Sequence, residues 1–301
     1  MEKTCKRCGK TFAATHSRRA YCSRTCSNLD SNDLARARFQ DKPKTIVWSC
    51  GGGVDSTAIA VLIVQGKLPK PDYALMIDVG YEPKSTWDHV DGVLKPRLQA
   101  VGVELIILHS AEWTDTALVD HRGWCRLPAY RMKDGKVQKL ATRCSGAWKA
   151  KVANCWLREQ GVERCEQWLG IAADEQRRAK PATLQWTGLR WPLIEFGMTR
   201  EDCVWLMGKA GWPAAPRTSC YLCPQRADGE WRRLMDGAPA DFEKACEAER
   251  SIQTQCADIY LHRFCVPLGE AVSRLRPTAL GIGANGSCGA CGSCDHGWRC
   301  E

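Results

Sequence analysis

With 301 residues, 44% of them apolar and 26% charged, the chain is long enough for one large α/β domain with small appendages. Its longest clean apolar run, residues 58–64, excludes a helical membrane span, which needs ~20 residues, and a polar start without an h-region excludes a secretory signal and implies a cytoplasmic protein. In such a reducing compartment, 19 cysteines point to metal or redox chemistry rather than disulfides, and a net charge of +9 points to a polyanionic partner.

In chain order, residues 1–28 form a basic, Cys-rich zone. Cys5-x2-Cys8-x13-Cys22-x3-Cys26 places four thiolates in two close pairs, which suits tetrahedral Zn²⁺. A core this small folds only with its metal. Gly9-Lys10-x-Phe12 and Tyr21-Cys22-Ser23 resemble the knuckles of small treble-clef zinc fingers. Residues 1–44 hold eleven Lys/Arg against four acids, so most of the net charge lies here. With Arg18, Arg19 and Arg24 in its loop, the finger suits contact with a phosphate backbone. Residues 29–44 read as a short polar helix (Leu34, Ala35, Ala37, Phe39) and a linker ending at Pro43.

From Thr45 the pattern becomes strand–helix alternation: strand 45–49, helix 55–65, strand 73–79, helix 85–101 with Pro96 a kink candidate, strand 103–109, helix 145–159, strand 167–172. Strands separated by helices imply βαβ units and a doubly wound, mostly parallel α/β sheet. Thr199 with Glu201 and Asp202 marks a capped helix over 199–210, and 239–255 reads as another. The expected organisation is a finger over 1–28, a linker over 29–44, a nucleotide-binding α/β domain over 45–215 and a helical, Cys-rich region over 216–301. A second basic cluster, 121–143, has seven Lys/Arg against Asp134 alone. Trp113, Trp124 and Trp148 flank it, as base-stacking candidates or core residues. Trp156, Trp168 and Trp205 fall at core-periodic positions, and Cys50, Cys155, Cys165, Cys203, Cys246 and Cys256 in core-like contexts.

The strongest chemical signal is Ser49-Cys50-Gly51-Gly52-Gly53-Val54-Asp55-Ser56-Thr57, between a strand and a helix. Three glycines allow the backbone to approach a phosphate with its N–H groups turned inward, and the helix N-terminus adds its positive end. Asp55 would repel phosphate directly, so it implies a bridging Mg²⁺. The loop is neither a Walker A sequence nor a dinucleotide fingerprint.

Ser49-x-Gly-Gly-Gly-Val-Asp-Ser resembles the PP-loop of the N-type ATP pyrophosphatase (adenine nucleotide alpha hydrolase) superfamily, and within it the phosphoadenosine phosphosulfate reductase-like family. Further segments fit in order: Asp78-Val-Gly-Tyr-Glu82, Arg143-Cys144-Ser145-x-x-x-Lys149, Gly170-Ile-Ala-Ala-Asp-Glu175-x-x-Arg178, Trp191-Pro-Leu-Ile194 and Ser219-Cys220-x-x-Cys223-Pro224. Gly51 departs from the family pattern, which has a serine there. The resemblance implies ATP or a sulfonucleotide across the carboxyl ends of the strands, held by Ser49, Gly51, Gly52, Gly53, Asp55 and Ser56. Asp78 and Glu82 would serve Mg²⁺ or ribose, and Glu175 and Arg178 the phosphates. Asp55, Ser56 and Lys149 would be catalytic.

The resemblance also implies a [4Fe–4S] cluster, with Cys144, Cys220, Cys223 and Cys291 as ligands and Cys288 as the alternate fourth. A second zinc site or a redox-active Cys-x-x-Cys is the competing reading. Three functions follow as expectations. One is an ATP-dependent, iron–sulfur sulfurtransferase that modifies RNA or DNA, cleaving ATP to AMP and pyrophosphate and served by a sulfur-donor protein. The second is a reductase taking phosphoadenylyl or adenylyl sulfate to sulfite. The tail His296-Gly-Trp-Arg-Cys300-Glu301 and the lone Cys144 depart from that reductase's Glu-Cys-Gly and Cys-Cys patterns. The third is a non-catalytic nucleic-acid-binding module.

Overall fold

A computed structural model describes residues 2–17, 19–23, 26–27, 37 and 42–275. The helix expected within 29–44 and the thiols Cys288 and Cys291 lie outside the described residues.

In the finger, β1 (Glu2–Thr4) pairs antiparallel with β2 (Thr11–Ala13). Between them the chain folds back sharply: the Cys5 N–H donates to Lys10 O at 2.9 Å and the Gly9 N–H to Cys5 O at 3.1 Å.

The body is a five-stranded, all-parallel sheet in the order β5-β4-β3-β8-β9. β3 (Lys44–Ser49) is central, with Val47 and Trp48 fully buried. It leads through α1 (Val54–Val64) to β4 (Tyr73–Asp78) on one side. From β4 the chain runs through α2 (Lys84–His89), a π-helical turn (Val90–Leu94) and α3 (Lys95–Gln99) to edge strand β5 (Leu105–His109). It then crosses back, by way of the β6–β7 hairpin (Tyr130–Lys133, Lys136–Lys139), a π-helical turn (Ser145–Ala150) and α4 (Lys151–Glu159), to β8 (Arg164–Leu169) on the other side of β3. β9 (Thr187–Arg190) closes that edge. The chain therefore reverses direction across the sheet between β3 and β8. Open α/β sheets place ligands at such a switch point, outside the carboxyl ends of the strands.

Helices cover both faces, as the doubly wound reading requires. α1 is buried along nearly its whole length, because it is apolar all round and lies between the sheet and α6 (Arg200–Lys209). On the opposite face, Val152, Ala153 and Leu157 of α4 pack on Val47, Leu75 and Leu108. Thr199 caps α6 reciprocally with Asp202, as its sequence predicts. A short α5 (Pro192–Glu195) precedes it. A third core, around Trp148, Leu222 and Trp231, joins α7 (Asp228–Gly237), α8 (Pro239–Gln255) and α9 (Leu268–Ser273) to the sheet's carboxyl end.

Several local expectations are corrected. β8 starts at Arg164, three residues before the expected strand, and ends at Leu169. The helix expected over 85–101 runs continuously from Lys84 to Gln99, with a π-helical turn (Val90–Leu94) just before Pro96, whose missing N–H interrupts the α-helical ladder there. Trp205 is 63% exposed: Cys203, Leu206 and Met207 form the buried stripe of α6, and Trp205 points away from it with Lys209 over its ring. Trp148 is core, not a stacking surface, at 2% exposure. Cys155 and Cys256 are only half-buried.

Candidate nucleotide and thiol sites

The glycine loop leaves β3 at the switch point. Gly52 has a φ of +73°, a left-handed conformation that favours glycine. At Gly53 a Cβ would lie 2.6 Å from Thr218 Oγ1, so the next layer of chain seats directly on the loop. Gly170, just past β8, would bring a Cβ to 3.2 Å from the Asp55 backbone. These contacts leave no room to remodel the loop. The Gly51 N–H donates to Ser56 Oγ at 2.9 Å, and Gln167 Nε2 donates to Ser49 Oγ at 2.7 Å. Gly51 itself has a non-positive φ and its nearest neighbour to a Cβ is Ser56 Oγ at 3.6 Å, so the serine of the family pattern would fit.

Asp55 lies in the first turn of α1 with its side chain only 12% exposed. Burial raises its pKa above the usual carboxylate range, against the pull of the Arg200 guanidinium 3.2 Å away. Arg200 was invisible as a partner in the sequence, because 145 residues separate the two. Glu175 and Arg178 pair with each other on an exposed 3₁₀ turn (Ala173–Arg178) close enough to perturb Asp55. Asp78 is spent on structure: its carboxylate accepts the Gly80 N–H at 2.7 Å and meets His109 Nδ1 at 3.0 Å.

A cavity of about 410 Å³ opens beside the loop. Ser49, Cys50 and Gly51 form one wall, and Glu82, Ser145 and Lys149 line it too. Glu82 is 9% exposed. Its Oε2 accepts the Val79 N–H at 3.2 Å, while Oε1 has no hydrogen-bond partner and faces Lys149 Nζ at 3.6 Å. Burial raises the Glu82 pKa, partly opposed by Lys149. A buried carboxylate oxygen on a cavity wall that makes an ion pair but no hydrogen bond fits a further polar or cationic occupant.

Cys220 does not line this cavity but feels two residues that do, Lys149 and Glu82. Burial pushes its thiol up to about 12, with Lys149 pulling down and Glu82, Cys223 and Cys144 pushing up. Cys144 is likewise raised by burial and feels Cys223. The three thiols thus share one electrostatic neighbourhood. The buried Arg226 guanidinium closes it, donating to Ser219 O at 2.7 Å and Cys220 O at 3.1 Å. Burial keeps the Cys220 and Cys144 thiols protonated on their own; the buried cation beside them would help offset the charge of thiolates bound to a metal cluster. Cys125, passed over in the sequence because it has no close-spaced partner, also lies near Cys144.

The finger differs in kind. Cys5, Cys8, Cys22 and Cys26 place all four sulfurs within 4.8 Å of one another, the one such group of three or more metal-ligating side chains among the described residues. Sulfurs of Cys8 and Cys22, and of Cys22 and Cys26, lie 3.6 Å apart, near the ~3.8 Å edge of a tetrahedron with ~2.3 Å Zn–S bonds. Backbone N–H groups from Cys22 and Cys8 lower Cys5 to about 6, whereas neighbouring thiols raise Cys22 to about 12. Four sulfurs this close cannot all ionise without a cation among them. Among the described residues, Cys144, Cys220 and Cys223 form no such tight group.

No protein-family model matches the chain, and no curated protein matches it. Among solved structures, the U34-tRNA thiolase NcsA from Methanococcus maripaludis, with its [4Fe-4S] cluster, is similar at 16% identity. The likeness covers 83% of this chain and 88% of that one, with a TM-score of 0.40. No helix among the described residues is long and apolar enough to cross a membrane.

Proposed function

We propose that the chain is a PP-loop ATP pyrophosphatase that activates an oxygen of a nucleic acid for replacement by sulfur. The observation that carries this reading is the cavity at the switch point, lined by Ser49, Cys50 and Gly51 together with Glu82 and Lys149. Cys220 does not line it but feels the charges of Lys149 and Glu82, which supports a thiol centre near the phosphate loop.

In this reading the N–H groups of Gly52 and Gly53 and the first turn of α1 hold the β- and γ-phosphates of ATP. Asp55 and Ser56 would hold Mg²⁺, which would neutralise the departing pyrophosphate. Arg200 would release Asp55 as the metal arrives. Lys149 would stabilise charge growing on the α-phosphate. A substrate carbonyl oxygen attacks the α-phosphorus, and the bond to the β-phosphate oxygen breaks, releasing pyrophosphate. A sulfur nucleophile then attacks the activated carbon, and the C–O bond to AMP breaks. Cys144, Cys220 and Cys223 would hold a [4Fe–4S] cluster, which supplies sulfide or electrons when bound. Cys5, Cys8, Cys22 and Cys26 would hold Zn²⁺ and so shape the finger. Glu175 and Arg178, paired on the exposed turn near Asp55, would contact the phosphates only after parting.

The test is reaction of the anaerobically reconstituted full chain with ATP, Mg²⁺, sulfide and bulk tRNA or DNA, followed by mass spectrometry of the nucleosides. The reading expects AMP formed in step with a nucleoside carrying sulfur in place of oxygen. Sulfite released from a sulfonucleotide and a thiol reductant, with no change to nucleic acid, would replace it with the reductase reading.

A further inference from the structure

The β6–β7 hairpin projects from the crossover between β5 and β8 and takes no part in the nucleotide cavity. Its tip is a two-residue turn, Asp134-Gly135, with both φ angles positive (52° and 69°), the geometry of a primed hairpin turn. Its base is rigid. Tyr130 exchanges backbone hydrogen bonds with Tyr260 at 2.8 Å each way, and the Leu140 N–H donates to Ala129 O at 2.8 Å. A tethered base with an exposed arm is a fixed projection.

The arm's composition makes no sense as packing. β7 is exposed at every residue. Lys133 stands directly opposite Lys136 in register, and like charges so placed destabilise a hairpin. Met132 stands opposite Val137, and both are about half exposed. Arg131, on the same face as Lys133, reaches a hollow of about 370 Å³ at the hairpin's foot. Trp124 and Arg143 form another part of its wall.

Trp124 is 53% exposed, yet it is held in place. Asp120 Oδ1 accepts the N–H groups of Arg122 and Trp124 at 2.9 and 3.0 Å, and Val119 bridges to Cys125. The Arg143 guanidinium sits 4.4 Å from the Trp124 ring centroid. An indole pinned by its own turn, with a cation stacked against it, is a ready platform for an aromatic ring. Among the described residues, Arg122, Lys133, Lys136 and Arg143 have no carboxylate partner; Arg126 and Arg131 are paired with Asp115 and Asp258.

We infer that the Trp124–Arg143 stack, the hollow beside it and the Lys133/Lys136 tip form a docking surface for an unpaired stretch of nucleic acid. One base stacks on Trp124, and flanking phosphates lie along the lysines and Arg122. The occupant is single-stranded because a free base face is available only where stacking and pairing are open. The charge alone would also suit an acidic protein; the pinned indole, with a hollow beside it roomy enough for a nucleotide, favours nucleic acid. The surface ends at Arg143, next to Cys144, whose N–H donates to Arg126 O at 3.1 Å. The inference thus rests on the proposed reading for its purpose: it would fix a loop nucleotide beside the thiols.

The test is fluorescence anisotropy with the metal-loaded full chain and no ATP. The probes are labelled single-stranded RNA and DNA, a fully paired duplex of the same composition, and an acidic peptide. The inference expects the single strand to bind about tenfold or more tightly than the duplex, in keeping with base stacking. Trp124→Ala should weaken single-strand binding about fivefold or more, and Trp124→Phe should restore most of it. Lys133→Gln with Lys136→Gln should flatten the slope of log affinity against log salt for single strands by about 1.4, reflecting two lost phosphate contacts. Equal binding of duplex and single strand, full competition by the acidic peptide, or wild-type binding by Trp124→Ala would overturn it. Because these measurements need no turnover, strand binding without ATP cleavage would sink the proposed activity alone. Cleavage without strand preference would sink this surface alone.

Discussion

The chain gathers its cysteines in two places by opposite means. In the finger, the thiols are themselves the core: β1 and β2 are three residues each, and little apolar surface is buried there besides Cys5 and Ala14. At Cys144, Cys220 and Cys223, the thiols stand on a scaffold already folded, with Trp148, Leu222 and Trp231 packed beneath and Arg226 bonded to the backbone around them. In the proposed reading a metal would build the first site, whereas the second would receive one on a finished scaffold. The same sulfur chemistry would then carry a folding role in one region and a reactive one in the other.

The largest effect that tests this contrast is metal removal. Chelation, or Cys22→Ser, should abolish ordered structure in residues 2–27, since structural zinc supplies about 10 kcal/mol or more to such a fold. The thermal transition of residues 42–275 should stay in place. Nuclear magnetic resonance of the stripped protein, beside calorimetry, checks both halves. Loss of the body's transition on chelation would break the comparison. Cys220→Ser should act the other way round, lowering bound iron while shifting the body's stability by no more than about 1 kcal/mol.

Next in size is Asp55→Asn, which should lower ATP cleavage by about 10²-fold, typical of one lost electrostatic contact in a transition state. A smaller but sizeable effect concerns the scaffold behind the thiols. Glu249, 2% exposed, accepts the N–H groups of Leu261 and Leu268 at 2.7 and 2.6 Å. Glu249→Ala orphans both and should destabilise the body by about 2–5 kcal/mol in denaturant melts, while leaving zinc in the finger.

The glycine turn between β3 and α1 was legible in the sequence because its residues are contiguous and glycine's backbone freedom is local. The strand–helix alternation was legible for the same reason, and Thr199 with Asp202 announced α6 within four residues. What escaped was set by distance or by charge. Arg200 and Thr218 reach the loop only through the fold. The β6–β7 hairpin alternates Tyr130 and Met132 with Arg131 and Lys133, but its strands are only four residues each and mostly charged, and the Asp134-Gly135 turn signal went unused. Trp205 followed an apolar period but points outward, since one helical step separates the buried stripe from the exposed one. The cysteines of the tail, outside the described residues, stay an expectation from resemblance.

A pH prediction sharpens the view of the sheet as a finished scaffold. His89, buried beneath the loop with Nε2 3.0 Å from Thr57 Oγ1, has its pKa lowered by burial and by Arg97. The folded state therefore binds fewer protons than the unfolded one below the ordinary histidine value of about 6.5, so stability should fall as pH drops through that point. His89→Gln should flatten that dependence of the melting temperature; an unchanged slope would contradict it. The smallest effect belongs to Gly51→Ser. It should leave the melting temperature equal or slightly raised, by about 0.4–1 kcal/mol of stability at most, because a Cβ fits there.

The measurement closest to the central claim follows the label from ATP marked at its γ-phosphate, with wild-type protein and with Asp55→Asn. If the loop at the end of β3 orients a triphosphate for attack at its α-phosphorus, wild-type protein yields labelled pyrophosphate and unlabelled AMP, and the variant yields almost none. Labelled orthophosphate with ADP, or cleavage indifferent to Asp55, would show that the loop serves some other chemistry.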